Sequence, residues 1–181
     1  ATDREKLCDF LAREGPRRQF FPAYGVNDFF TGGSTFKNLR PADVLAAYRD
    51  GEIVGTIAGW NQRAFRQTVV EGYGGPLRRL RGVYNARARL LGHPGLPAPG
   101  TALRPVTAAI PGVRTDAPGV CAALVRSVAN RLAAGPHDCL LVGLHENDPL
   151  LPTARRFSTN DYVTRLYLVS WEKNETTGET P

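Results

Sequence analysis

Residues 103–144 read LRPVTAAIPGVRTDAPGVCAALVRSVANRLAAGPHDCLLVGL, and the order of residue types in this stretch decides the fold. Leu103–Ile110 reads as a strand that ends at Pro111-Gly112. Asp116 is the expected N-cap of a helix from about Ala117 to Ala134, with Pro118 acceptable in its first turn. Val120, Leu124, Val128 and Leu132 recur every four residues, so that helix has one apolar face. Gly135-Pro136 closes it, and Cys139–Leu144 is a continuous apolar run of the kind found in strands covered on both faces. Strand, helix and strand in this order predict two parallel strands joined by a right-handed crossover.

The chain on either side of this unit is read the same way. Asp3–Glu14 is a helix with Leu7, Phe10 and Leu11 on one face and Gly15-Pro16 as its stop. Val44–Arg49 and Glu52–Trp60 flank Asp50-Gly51, a hairpin signal, because a type I′ turn needs positive φ at both central residues. Gly55 and Gly59 inside the second strand mark a bulge or a close backbone approach. Phe20, Phe21, Tyr24, Phe29, Phe30 and Phe36 crowd the loop after the first helix, as core filler or as the lining of a cavity. Residues 61–100 are irregular and basic, with a short helix around Leu77–Leu91, and form an insertion between two strands. Pro149–Phe157 has room for a short helix, Tyr162–Trp171 for a final strand, and Lys173–Pro181 is a polar tail.

Composition bounds the class. The 181 residues fit one domain over residues 1–181, and an apolar content of 42% is ordinary for a globular chain. Cys8, Cys121 and Cys139 have no CxxC spacing, which argues against a disulfide scaffold and a zinc framework and suits a reducing compartment. No apolar run approaches the ~18 residues of a membrane span, and the charged start Asp3-Arg4-Glu5-Lys6 is unlike a signal peptide. A cytoplasmic address and no membrane partner are the expectations. The chain has no methionine, which fits a fragment or a processed form. The net charge of +6 is unevenly spread: between Glu52 and Asp116 the only acid is Glu71, against nine arginines. Such a patch attracts anions, or is the solvated face of an arginine-rich chain. Nucleic acid is not expected as a partner, since no recognition helix or RNP-type pattern is visible.

Helix, loop, Asp-Gly hairpin, insertion, strand, helix, strand, short helix and final strand together resemble the GNAT acetyltransferase superfamily over residues 3–171. Tyr48-Arg49-Asp50-Gly51-Glu52-Ile53-Val54-Gly55 is similar to that family's hairpin phrase. The resemblance implies an α/β fold of the α+β kind: a mixed, mostly antiparallel sheet with a central parallel strand pair joined by a crossover helix. It also implies acetyl-CoA as co-substrate, with its pyrophosphate on the helix N-terminus, where free N–H groups and the dipole attract phosphate. The family's phosphate loop is matched nearest by Asp116-Ala117-Pro118-Gly119-Val120-Cys121. This keeps the central glycine but puts an acid where the family has Gln or Arg. The implied cofactor contacts are Ala109, Ile110, Arg114, Gly119, Val120, Cys121 and Asn147. Leu150 and Ala154 stand where the family's later motif has Ala and Tyr.

Acetyl transfer to an amine needs a base for the ammonium proton, an acid for the leaving thiolate and amide donors for the thioester carbonyl. Glu146 is the first candidate base and His145 the second, because the run 145–148 follows a strand end, where open α/β sheets place ligands. The competing role for this cluster is to cap the next short helix. Tyr167 or Tyr162 is the candidate acid, with core packing as the alternative. Glu71, alone among arginines, suits an ion pair better than a base. Cys121 near a helix start is either a lowered-pKa thiol or a small core residue. His93, His137 and His145 lack metal-ligand spacing, and no metal is expected. The expected function is therefore acetyl transfer to a small-molecule or peptide amine. The alternative is a catalytically degenerate binding or regulatory module on the same fold.

Overall fold

A computed structural model describes residues 2–29, 35–92, 95–115, 117–157 and 159–167. Helix α1, Asp3–Glu14, begins at a capping box in which Thr2 accepts from the Glu5 amide and Glu5 accepts from the Thr2 amide. Strands β1, Val44–Arg49, and β2, Glu52–Trp60, pair antiparallel. Asp50 and Gly51 stand at φ 52° and 80° between them, as the hairpin reading requires.

The chain then leaves the sheet through β3, Thr68–Val69, and α2, Gly75–Leu90, and returns through β4, Ala102–Leu103, which pairs with β3. Strand β5, Pro105–Val113, re-enters the main sheet. It is followed by α3, Pro118–Ala133, β6, Cys139–Leu141, and α4, Leu151–Ala154. The sheet order is β1-β2-β5-β6, antiparallel except for the parallel β5–β6 pair that α3 connects. This is the mixed sheet with a crossover helix that the sequence predicts.

Each face of the sheet carries one core. On the first, Leu7, Phe10 and Leu11 of α1 and the loop aromatics Phe29 and Phe36 bury Ile53, Ala58 and Ala109. Tyr24, Phe29, Phe36 and Trp60 form a chain of ring contacts, so these aromatics are core filler, whereas Phe20 is exposed and outside the core; Phe30 lies outside the described residues. On the second face, Leu124, Val125 and Val128 of α3 pack on Ile57 and Ala108. Burial of this kind stabilises by ~1.5–3 kcal/mol per side chain. Gly55 is the close approach: a Cβ there would lie 2.7 Å from Val120 Cγ1 and 3.0 Å from Leu124 Cδ1.

Several boundaries differ from the sequence reading. The strand Leu103–Ile110 is two pieces, and β5 runs on through Pro111-Gly112 instead of stopping there. A bulge lets it continue, because proline is tolerated where the ladder is already broken. The residue preceding α3 is Ala117, with no side-chain cap; Asp116 lies outside the described residues. The run Cys139–Leu144 contains only three strand residues, with Cys139 and Leu141 exposed. It is the outer strand of the described sheet, so its apolar composition reflects the groups beneath it and not cover on both faces. The final strand expected over Tyr162–Trp171 is absent from 162–167, which are irregular and exposed. A three-residue edge offers little ladder for another strand to join. Residues 168–171, and the tail 173–181, lie outside the described residues.

Candidate functional site

The chemistry-bearing residues meet where β5 and β6 part. Their pairing runs only from Pro105↔Cys139 to Thr107↔Leu141. Beyond it β5 continues while the chain after Leu141 leaves the ladder. The gap is a narrow apolar crevice lined by Pro111, Gly112, Cys121, Leu124, Val142 and Leu144.

The β5 wall of the crevice is bulged. Thr56 pairs with Gly112 and Ala58 with Ala109, so Ile110 and Pro111 together oppose Ile57. Ile110 is buried at φ 45°. A β-branched residue in this region is strained by an amount on the order of 1–3 kcal/mol. Two contacts hold it: Thr56 Oγ1 donates to the Ile110 carbonyl at 2.9 Å, and Arg18 Nη1 donates to the Pro111 carbonyl. Pro111 has no N–H of its own to offer an acyl oxygen.

The other wall ends in the turn 145–148, and here burial selects a carboxylate that the sequence reading passed over. Asp148 is 8% exposed. Its Oδ2 accepts from Arg18 Nε at 2.9 Å and Arg18 Nη2 at 2.5 Å, and its Oδ1 accepts from the Leu150 amide at 2.8 Å. Arg18 therefore joins the β5 bulge to the turn after β6. No spacing in the sequence announces a pair 130 residues apart. Asp148 is fully engaged, which leaves Glu146, exposed in the same turn, as the carboxylate open to a substrate.

His145 is half-buried, with its ring 5.9 Å from that of Phe20. Its Nδ1 accepts from the Asn147 amide at 3.2 Å. With Nδ1 an acceptor, the ring proton is on Nε2, which is left as a donor. Asn147 is exposed. Tyr162 and Tyr167 are 88% and 78% exposed on the extended segment, and among the described residues neither has a hydrogen bond or ring contact to the 145–148 turn.

At the start of α3 the first-turn amides are unequally available. The Ala117 amide donates to the Arg114 carbonyl and the Val120 amide to the Ala117 carbonyl, both at 3.0 Å. Pro118 has no N–H, and by helix geometry the Cys121 amide is the first to bond within the helix. Among the described residues the Gly119 amide is without an acceptor, and a Cβ on Gly119 would meet nothing within 4 Å. The Arg114 amide donates to the Val54 carbonyl at 3.0 Å. Ala109 and Ile110 are buried in the β5 wall. Burial pushes the Cys121 thiol up from its ordinary value, against a smaller lowering by Arg18. It is a core residue and not a reactive thiol.

No family model matches the chain, and no curated protein does. Among solved structures, a ribosomal-protein-alanine N-acetyltransferase from Brucella melitensis biovar Abortus 2308 is similar over 91% of this chain and 93% of that one, at 16% identity and a TM-score of 0.47.

Proposed function

We propose that the chain is an acyltransferase that takes an acyl group from acetyl-CoA and passes it to an amine. The observation that carries this reading is the parting of a parallel strand pair around a bulge, with the crossover helix starting beside it. The crevice lies at that parting, and the Gly119 amide at the positive end of α3 suits a phosphate. Acetyl-CoA would supply the activated acyl group. As the amine's nitrogen bonds to the acyl carbon, the carbon–sulfur bond breaks and the sulfur leaves as thiolate. The ammonium proton passes to Glu146, and the Nε2–H of His145 stabilises the leaving thiolate by a hydrogen bond without giving up its proton.

Two features favour the second reading, a module that binds on this fold without turnover. Arg18 already occupies the Pro111 carbonyl, and both candidate tyrosines stand away from the crevice. Calorimetric titration of acetyl-CoA into the parent and into Gly119→Val separates the possibilities. The acyltransferase reading expects saturable binding that weakens roughly tenfold or more in the variant, whose added side chain obstructs the open amide without touching the fold. It also expects thiol release with an amine panel, lost in Glu146→Gln. Binding without thiol release moves the chain to the second reading. No heat with either protein ends both as far as CoA is concerned.

A further inference from the structure

Helix α2 is built unlike the rest of the molecule. Of its 16 residues only Ala88 is buried. One side is tied down: Asn85 Oδ1 accepts from the Leu96 amide at 2.6 Å, while Asn85 Nδ2 and Arg81 Nη1 donate to the Leu96 carbonyl at 3.0 and 3.3 Å. The opposite side is apolar and open. Leu80, Tyr84 and Leu91 recur at spacings of four and seven, with Val83 and Leu90 beside them, and all are exposed, Val83 by 69% and Leu90 by 87%. Arg78, Arg79 and Arg89 cover the polar arc, and Arg87 lies within the apolar one. The helix holds five arginines and no acid, and no acid occurs in sequence between Glu71 and Asp116. Among the described residues, the side chains of Arg78, Arg79, Arg87 and Arg89 have no ion pair or hydrogen bond.

We propose that α2 is an interfacial helix that lays its leucine–valine face into an anionic lipid surface, with its arginines at the headgroups. Basic charge around an apolar stripe is the composition such helices use, and each arginine near an anionic surface adds about 1 kcal/mol. Nucleic acid is the poorer fit, because phosphodiester chains have no use for an exposed Leu80–Val83–Leu90 ridge. A second copy is poorer still, since face-to-face pairing would bring the Arg87 of each helix into the shared apolar contact, and neither helix has an acid to pair with it. The expectation of no membrane partner rests on the lack of a spanning segment. Among the described residues no helix is long and apolar enough to cross a membrane, and a helix lying in the interface needs none. This proposal is independent of acyl transfer.

The test is co-sedimentation of the full chain with vesicles of phosphatidylcholine alone or with about 30% phosphatidylglycerol. Binding is expected only to the anionic vesicles, and it should fall as salt rises from about 0.05 to about 0.5 M, where screening shortens to a few ångströms. Arg78→Gln/Arg79→Gln/Arg89→Gln should weaken it roughly a hundredfold, and Leu80→Asn/Val83→Asn by tenfold or more. Both variants should melt with the parent, because these side chains are exposed. The proposal is overturned by no sedimentation with anionic vesicles at low salt, by equal sedimentation of the leucine–valine variant, or by a dimer in solution that this variant dissolves. A single-stranded RNA that competes with the vesicles and binds the leucine–valine variant unchanged also overturns it, in favour of a plain polyanion surface.

Discussion

Helices α2 and α3 have the same length of 16 residues and both carry an apolar stripe, yet one is a wall of the core and the other stands beside it. The stripe of α3 meets β2 at Gly55 and Gly59, where missing side chains let Val120, Leu124 and Val128 come down onto the sheet. Among the described residues the stripe of α2 faces no other element, and its one anchored side is held by hydrogen bonds to Leu96. Charge follows the same division. In the body, Arg18 and Asp148 are buried together, at 9% and 5% side-chain exposure. In the insertion, Arg78, Arg79 and Arg89 are open to solvent. Amphipathic pattern thus says that a helix has a partner, and only the complementary surface says whether that partner is inside the chain.

Removing a charge is the strongest way to break this comparison. Asp148→Ala leaves the Arg18 guanidinium buried without its carboxylate and should cost about 3–5 kcal/mol, read as a shift of the urea midpoint at constant slope. Arg79→Ala in the insertion should stay within about 0.5 kcal/mol. Arg18→Met/Asp148→Leu should recover most of the single variant's loss, because no unpaired charge remains. Equal, small effects at Asp148 and Arg79 would mean that water reaches the pair and that the body is no drier than the insertion.

The two leucine stripes give the next contrast. Leu124→Ala should cost about 2–5 kcal/mol, since Leu124 is 7% exposed and sits over Gly55. Leu80→Ala, at a side chain that is 53% exposed, should change stability by less than about 0.5 kcal/mol in the absence of vesicles. A costly Leu80→Ala would show that α2 packs on the body in solution.

How much of this was legible in sequence follows from how local each signal is. The hairpin at Asp50-Gly51, the extent of α1 and the stripe of α3 rest on neighbours within a few residues, and each was placed within a residue or so. The bulge was missed because Pro111-Gly112 reads as a strand stop; only pairing with β2, supplied by residues 55–58, shows the strand carrying on. The Arg18–Asp148 pair is a long-range fact with no spacing to betray it, so Glu146 drew the attention that burial gives to its neighbour. Cys139–Leu144 and residues 162–167 differ from their reading for one shared reason. Neither an apolar run nor alternation reveals how many strands stand ready to pair with it.

The smallest expected effect lies at the seam where the insertion rejoins the body. Arg104, between β4 and β5, is bound to Asp138, just before β6. Its amide donates to Asp138 Oδ2 at 2.8 Å and its Nη2 to Oδ1 at 2.6 Å, while the Asp138 amide donates to the Arg104 carbonyl at 3.1 Å. The hydrogen bond from the Arg104 side chain, with lesser help from its amide and charge, holds the Asp138 carboxyl below the ordinary aspartate range. A folded-state pKa lower than the unfolded one means that the unfolded chain takes up the proton first as acid is added. The stabilisation is therefore complete above about pH 4 and disappears as pH falls through the lowered value. The pair is solvent-exposed and screened, so the effect is small. Asp138→Asn should lower the melting temperature slightly near neutral pH, and the gap to the parent should close as pH falls below about 4. Asp43, lowered by Arg40, titrates alike in both proteins and drops out of the difference. A gap that persists unchanged through that range would show that the seam is held by the backbone bonds between Arg104 and Asp138, and that the charge contributes nothing there.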